Sequence, residues 1–121
     1  MFAPIFEVCA SDSGVTALIG SNPVRLFLFG MAPQNVALPY VVWQTSGGNP
    51  ENYLGDLPDS DNFSIQIDVY ASTAATARQV AQAVRDAIEP NAYVVSWIGD
   101  SIDPDTKHRR YTFLVDWIVE R

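Results

Sequence analysis

The sequence predicts an α+β fold, a two-layer sandwich in which a mainly antiparallel sheet carries its helices on one face. Segments with helical spacing of apolar residues and segments with strand-like alternation follow one another in the order α, α, β, β, β, α, β, β. Most neighbouring strands are joined by short links, which favours antiparallel pairing. The 121 residues, 48% of them hydrophobic, suffice for one core. We therefore expect a single domain spanning residues 1–121.

Two short helices are expected at the start of the chain. The first has apolar residues at positions i, i+3, i+4 and i+7, namely Phe2, Ile5, Phe6 and Cys9. The second should follow the polar residues 11–14 and end at Gly20, with either Asp12 or Ser13 as its N-cap.

Three strands are expected next. Val24–Phe29 is rich in β-branched, aromatic and leucine residues, and Tyr40–Trp43 is apolar on both faces, as in a strand buried on both sides. Thr45–Asp61 contains several glycines and prolines and is expected to be a long loop. Phe63–Tyr70 shows the clearest alternation of apolar and polar residues.

One helix and two strands complete the prediction. Ser72 is expected to cap the helix, and Pro90 follows its end. The inward stripe of this helix consists of Ala77, Val80, Ala81, Val84 and Ile88. The final strands should run from Ala92 to Gly99 and from Arg110 to Val119.

Apolar residues remain on both sides of the predicted sheet. In the last strand one face is wholly apolar, while the other alternates polar residues with Leu114 and Ile118. Helices on one face cannot cover both, so we expect a homo-oligomer. The candidate interface residues are Tyr40, Trp43, Leu114, Ile118, Lys107, Arg109 and Arg110. Alternatively, Leu114 and Ile118 lie beneath the long loop.

Charge is unevenly distributed along the chain. Seven Lys and Arg face fourteen Asp and Glu, for a net charge of −7, which disfavours nucleic-acid binding. No Lys or Arg occurs between Arg25 and Arg78. The predicted long loop is therefore purely acidic, with Glu51, Asp56, Asp59 and Asp61. This loop and the basic turn at residues 107–110 are either solvated surface or complementary surfaces on neighbouring copies.

The sequence contains no recognisable catalytic or metal-binding pattern. Cys9 is the single cysteine and His108 the single histidine. Asp100, Asp103 and Asp105 resemble a calcium loop only loosely, because the central glycine and the bidentate glutamate are missing. We expect no enzyme activity, catalytic residue, metal or cofactor. We also expect no targeting signal and no membrane contact, and hence a protein that stays in the cytoplasm.

Several strings resemble those of the tail completion, or tail terminator, proteins of long-tailed bacteriophages. They are Val15–Gly20, Ala32–Gln34, Leu38–Val42, Ile65–Ala71, Ala77–Arg78 and Ala83–Ile88. The resemblance covers nearly the whole chain and concerns structural rather than chemical motifs.

The resemblance implies a non-enzymatic virion protein at the head-proximal end of the tail, assembled in the host cytoplasm. Such a protein forms a ring, usually hexameric, that caps the tail tube, stops its polymerisation and meets the head connector or stopper. DNA would pass through the ring without specific binding, and the acidic loop is the first candidate for lining the channel.

Two other functions remain open at this stage. One is a neck or stopper protein on the head side of the same assembly. The other is a small-ligand-binding α+β domain in which Tyr40, Trp43 and Trp97 line a pocket.

Overall fold

The computed structural model describes residues 3–21, 23–50 and 60–120. Within these ranges it contains three helices and five strands. They are α1 (Ile5–Ala10), α2 (Ser13–Ile19), β1 (Leu26–Leu28), β2 (Tyr40–Pro50), β3 (Ser60–Ala71), α3 (Ala74–Ile88), β4 (Ala92–Ile102) and β5 (Arg109–Glu120). The predicted order of elements and the α+β class are confirmed.

The strands form one sheet in the order β1-β2-β3-β5-β4. All described neighbours pair antiparallel except β1 and β2, which are parallel. The connection between β1 and β2, residues 29–39, is long enough to return the chain to the end of the sheet where β1 began. The sheet is therefore mixed, with one parallel pair at its β1 edge.

The β2–β3 hairpin is longer than the sequence predicts. Gly47, Gly48 and Pro50 belong to β2 and pair with β3, so the expected loop at Thr45–Asp61 is wrong at both ends. Glycine and proline disfavour strands, but pairing along a partner strand outweighs that weak preference. Ser46 is accommodated as a bulge, and its Oγ donates to the Ser64 carbonyl at 3.2 Å. Residues 51–59 lie outside the described ranges.

Helix α3 packs on the sheet with the stripe that the sequence predicts. Ala77, Val80, Ala81, Val84 and Ile88 are all buried. The predicted N-cap is wrong by one residue, since Thr73 Oγ1, rather than Ser72, accepts the Thr76 backbone N–H at 3.2 Å. Thr73 holds the extended backbone that an N-cap requires, and Ser72 lies outside the helix.

Helices α1 and α2 complete the helix layer. Ile5 and Cys9 are buried as predicted, whereas Phe6 is exposed and Phe2 lies outside the described residues. The six-residue α1 buries only a narrow i, i+4 stripe, which Phe6 does not share. None of the described helices is long and apolar enough to cross a membrane.

The ends of α2 match the predicted signals. The Asp12 carboxylate caps α2 by accepting the Val15 N–H at 3.1 Å. Gly20 ends the helix at a φ of 86°, and a Cβ there would lie 3.0 Å from the Pro23 carbonyl oxygen. Glycine therefore suits this position for both reasons.

One face of the sheet forms the core with the helices. Val41, Ile67 and Phe113 are fully buried on it, and Trp43 is 7% exposed. Tyr40 and Val42 point to the other face and are only half-buried. The prediction that Tyr40–Trp43 is buried on both sides is therefore wrong, because strand alternation gives the helices only two of its four residues.

Candidate functional site

The sheet face opposite the helices has no helix over it in the described part of the chain. We call it the open face. It presents Tyr40, Val42, Gln44, Ser64, Gln66, Asp68, Tyr70, Arg110, Thr112, Leu114, Asp116 and Ile118. Most of its central side chains are polar, and its charged ones are of both signs. Such a face can remain in water or meet a polar partner.

A buried hydrogen-bonded cluster lies at the centre of the open face. Asp68 and Thr112 are only 9% and 6% exposed, although none of the described helices covers them. Thr112 Oγ1 donates to Asp68 Oδ1 at 2.6 Å, and Gln66 Nε2 lies 3.2 Å from Asp68 Oδ2. Neighbouring side chains on the sheet therefore shield this carboxylate, and its oxygens are occupied by protein donors.

An aromatic row crosses the open face beside this cluster. The rings of Tyr40 and Tyr70 stack with centroids 5.0 Å apart, and Phe27 meets Tyr40 edge-on at 6.5 Å. Arg110 donates from Nε to Ser101 Oγ at 3.0 Å. A hydrogen bond with Tyr70 raises the pKa of the Arg110 guanidinium. Contacts within the chain thus fix this row before any partner arrives.

The β4 edge is the larger apolar surface. Here β4 pairs only with β5, so its outer side faces no strand of the described chain. Its exposed large apolar residues are Tyr93, Val95, Trp97, Ile98 and Ile102. Register shifts between Val94 and Ser96 and between Trp97 and Gly99 interrupt the ladder with β5. The edge is thus apolar but irregular.

The β1 edge is shorter. We use this name for β1 together with the turn that follows it to Met31. Phe29 and Met31 are 67% and 68% exposed, and Leu28 is also exposed. Of the ten exposed large apolar residues in the described ranges, eight lie at these two edges; the others are Phe6 and Ile118. The apolar surface is thus concentrated at the opposite ends of one sheet.

A groove between α3 and β4 borders the β4 edge. It has a volume of about 310 Å³ and is lined by Arg78, Ala81, Gln82, Arg85, Trp97 and Tyr111. The Arg85 guanidinium lies 5.8 Å from the centroid of Trp97 and also pairs with Asp86. Arg78 forms an ion pair with Asp100. Both arginines are therefore neutralised within the chain, which does not favour an anion site.

The described residues bring no catalytic constellation together. Across residues 3–21, 23–50 and 60–120, no three His, Cys, Asp or Glu side chains are placed to hold a metal ion. Cys9 is buried in the helix layer, where burial raises the pKa of its thiol to about 12. Its nucleophilic thiolate form is therefore scarce at neutral pH. The features that stand out are surfaces suited to association.

Comparison with known proteins identifies the relatives of this chain. A family model described as tail completion protein gp17 matches residues 3–120. This chain belongs to the tail completion protein family. The resemblance inferred from its sequence strings is thereby confirmed, and it gives the chain a structural role in tail completion, associated with the virion.

Two of the matching solved structures illustrate the shared fold. A chain from the virion of a native gene transfer agent particle matches with a TM-score of 0.70 and 18% identity, covering 97% of this chain and 92% of that one. The gp17 protein of bacteriophage SPP1 matches with a TM-score of 0.56 and 13% identity, covering 97% and 86%. No protein of curated function matches the sequence.

The structure distributes the predicted interface residues of this tail completion protein over separate places. Tyr40, Leu114 and Ile118 lie on the open face. Trp43 is part of the chain's own core, on the helix-covered face, and so does not offer an interface surface. Trp43 was an interface candidate because alternation alone does not reveal which face of the strand the helices cover.

The predicted basic turn is smaller than expected and lies beside an acid. Lys107 and Arg109 are exposed at the β4–β5 connection, while Arg110 is held on the open face. Asp103 Oδ1 accepts the backbone N–H groups of Thr106 and Asp105 at 3.2 and 2.9 Å, which lowers the pKa of the Asp103 carboxyl. The turn is therefore not a continuous basic patch.

The predicted acidic loop falls largely outside the described residues. Glu51, Asp56 and Asp59 lie there, whereas Asp61 is a half-buried residue of β3 paired with Val119. Its expected roles, in lining a channel or in facing a neighbouring copy, stay predictions.

A ligand pocket formed by Tyr40, Trp43 and Trp97 is not present. Tyr40 points to the open face, whereas Trp43 and Trp97 point to the helix-covered face with β3 and β5 between them. The β4 and β1 edges were missed by sequence reasoning. The run of apolar residues at 93–98 could have signalled the first, but strand order decides which strand is an edge.

Proposed function

We propose that this protein forms a homo-oligomeric ring, a hexamer by analogy with what the sequence resemblance implies, that caps the tail tube. The ring stops tube polymerisation and joins the tail to the head connector or stopper protein. The observation that carries the proposal is the family match over residues 3–120. The two apolar edges and the uncovered face support it, because a capping ring needs lateral and axial contacts.

Ring closure follows from contacts between unlike surfaces of identical copies. A contact that uses two different patches on each copy can repeat until the rotation closes. One side of the closed ring then matches the end of the tail tube, while the other side cannot accept a further tube ring. Growth stops because the matching surface is missing, and the ring lies at the head-proximal end of the tail, having assembled in the host cytoplasm.

The charge of the protein suits a channel that DNA passes without specific binding. The chain carries a net charge of −7, and Asp68 and Asp116 outnumber Arg110 on the open face. DNA is retained where cations neutralise its phosphates, and such a surface supplies few. We also propose that Glu51, Asp56, Asp59 and Asp61 contribute to this negative potential.

Tail length is the decisive measurement. Purified protein added to polymerising tail tube protein should give shorter tubes with a cap at one end in negative-stain electron microscopy. An unrelated protein of similar size and negative charge should leave the length distribution unchanged. Particles assembled without this protein should carry overlong tails that fail to join heads. Tubes of unchanged length in both experiments would refute the proposal.

The same preparation distinguishes a head-side neck or stopper protein. Such a protein would bind the purified head connector and leave the tail tube end free. A tail completion protein should bind the tube end in the absence of any head component.

A further inference from the structure

We propose that the β4 edge of one copy docks on the β1 edge of a second copy of this chain, so that their two sheets continue as one. The proposal rests on the ring proposed above and names its lateral contact. Both edges leave a strand without an outer neighbour within the described chain, and both are apolar. Exposed apolar edges of this kind require a covering partner in a soluble protein.

The strand directions favour a copy in the same orientation. Because β1 is parallel to β2 and every later pair is antiparallel, β4 runs opposite to β1. Two copies that face the same way therefore bring β4 of one beside β1 of the next in antiparallel pairing. This is the slightly more stable arrangement of two strands, and it needs no reversal of either copy.

The register also places the two edges at the same height. Leu28 on β1 and Trp97 on β4 lie in the same row across the sheet. The row consists of successive register partners, which are Leu28, Trp43, Ile67, Phe113 and Trp97. A second copy added sideways thus brings the short β1 opposite the middle of β4, close to where the exposed apolar residues lie. The interruptions of the β4 ladder limit how long a partner strand can pair, and β1 has only three residues.

A contact of β4 with another β4 explains less. It would be two-fold symmetric, would end at two copies, and would leave Phe29 and Met31 uncovered on both. The contact between unlike edges uses exposed apolar residues of both edges at once. A large side chain has up to about 150–250 Å² of surface, and these eight expose a little over half of theirs, so together they present on the order of 800 Å², about half of the ~1,600 Å² typical of a specific interface.

Charge does not oppose this contact. The groove beside Trp97 contains Arg78 and Arg85. Residues 26–31 of the β1 edge contain no Lys or Arg, so the segment that is placed against the groove carries no cation of its own. The contact is thus apolar at its centre, with its charges at the rim, as in specific interfaces.

Paired cysteines test the contact directly. The variant Phe29→Cys/Val95→Cys, treated with a short bifunctional maleimide, should give a ladder of linked chains on a denaturing gel. Each single variant should stay monomeric on that gel. The native Cys9 is buried and should not react. In the matched control, Phe29→Cys/Ser64→Cys, the second cysteine lies on β3, two strands or about 10 Å inward from either edge, and should give no ladder of linked chains.

Three results would overturn the proposal. They are dimers from Val95→Cys alone, which indicate a β4–β4 contact, a ladder from the control pair, and no ladder from the edge pair. If the double variant does not fold by circular dichroism, Val95→Lys decides instead. Val95→Lys places a charge on the β4 edge and should leave a folded monomer. The control Gln79→Lys, on the exposed side of α3, should assemble like the wild type. Normal assembly of Val95→Lys refutes the contact.

The result is separable from the proposed function. Sedimentation of the wild type and the tube-length assay report the ring and its capping activity. A ring that caps tubes but gives no edge ladder refutes the edge contact alone. A monomer that neither links nor shortens tubes refutes both.

Discussion

The hydrogen bond between Thr112 and Asp68 should be a major stabilising contact of the open face, and Thr112→Val tests it. Valine keeps the shape of threonine but removes the hydroxyl that donates to Asp68 Oδ1 at 2.6 Å. Gln66 Nε2 remains within 3.2–3.4 Å of the carboxylate. Since Asp68 is 9% exposed, water cannot freely replace the lost donor.

The expected loss follows from the type of bond. A hydrogen bond to a charged group contributes about 1.5–3 kcal/mol, so Thr112→Val should lower the free energy of unfolding by about 2 kcal/mol. For a chain of this size that corresponds to a fall in Tm of about 8 °C. Urea unfolding followed by circular dichroism, at one fixed protein concentration, measures the loss.

Thr112→Ser is the matched control, because it retains the donor and loses only a methyl group. Its loss should be about 1 kcal/mol or less. The double variant Asp68→Asn/Thr112→Val completes a cycle that isolates the pair. If the free energy of unfolding of the valine variant is less than about 0.5 kcal/mol below that of the serine variant, the hydrogen bond is not a major stabilising contact.

Three further predictions concern the helix layer. Thr73→Ala should lower the free energy of unfolding by about 1 kcal/mol because it removes the cap of α3, whereas Ser72→Ala should change it by a few tenths at most; equal losses in urea titrations would contradict the assignment of the cap. Burial raises the pKa of the Cys9 thiol from 9.0 to about 12. The folded state therefore keeps a proton that the unfolded state releases, so stability should fall as the pH rises from 9 towards 12, and Cys9→Val should show a smaller fall. At pH 8 a thiol-specific disulfide reagent should react with Cys9 only in denaturant, and rapid reaction in the folded state would disprove its burial.

Much of the fold could be predicted because periodicity records which side of an element is buried. The stripe from Ala77 to Ile88 and the apolar face from Phe113 to Trp117 both face the core, as the sequence predicts. Asp12 and Gly20 likewise mark the ends of α2 through purely local chemistry. These features depend on residues near one another in the chain.

Features that depend on distant partners could not be predicted in the same way. Gly47, Gly48 and Pro50 look like loop residues, and only pairing with β3 makes them strand. Trp43 and Tyr40 are equally apolar in sequence, yet the position of the helix layer buries the first and leaves the second on the open face. The β4 edge is exposed because β5, which comes later in the chain, lies between β3 and β4 in the sheet, so that β4 becomes the outermost strand.

The placement of the three tryptophans gives the protein an internal optical reporter. Trp43 and Trp117 are 7% and 2% exposed, whereas Trp97 is 43% exposed at the β4 edge. Indole emission shifts to shorter wavelength when water is excluded from the ring, and only Trp97 has much water left to lose. Spectral changes on mixing or dilution therefore report events around one side chain, against a constant background from the other two.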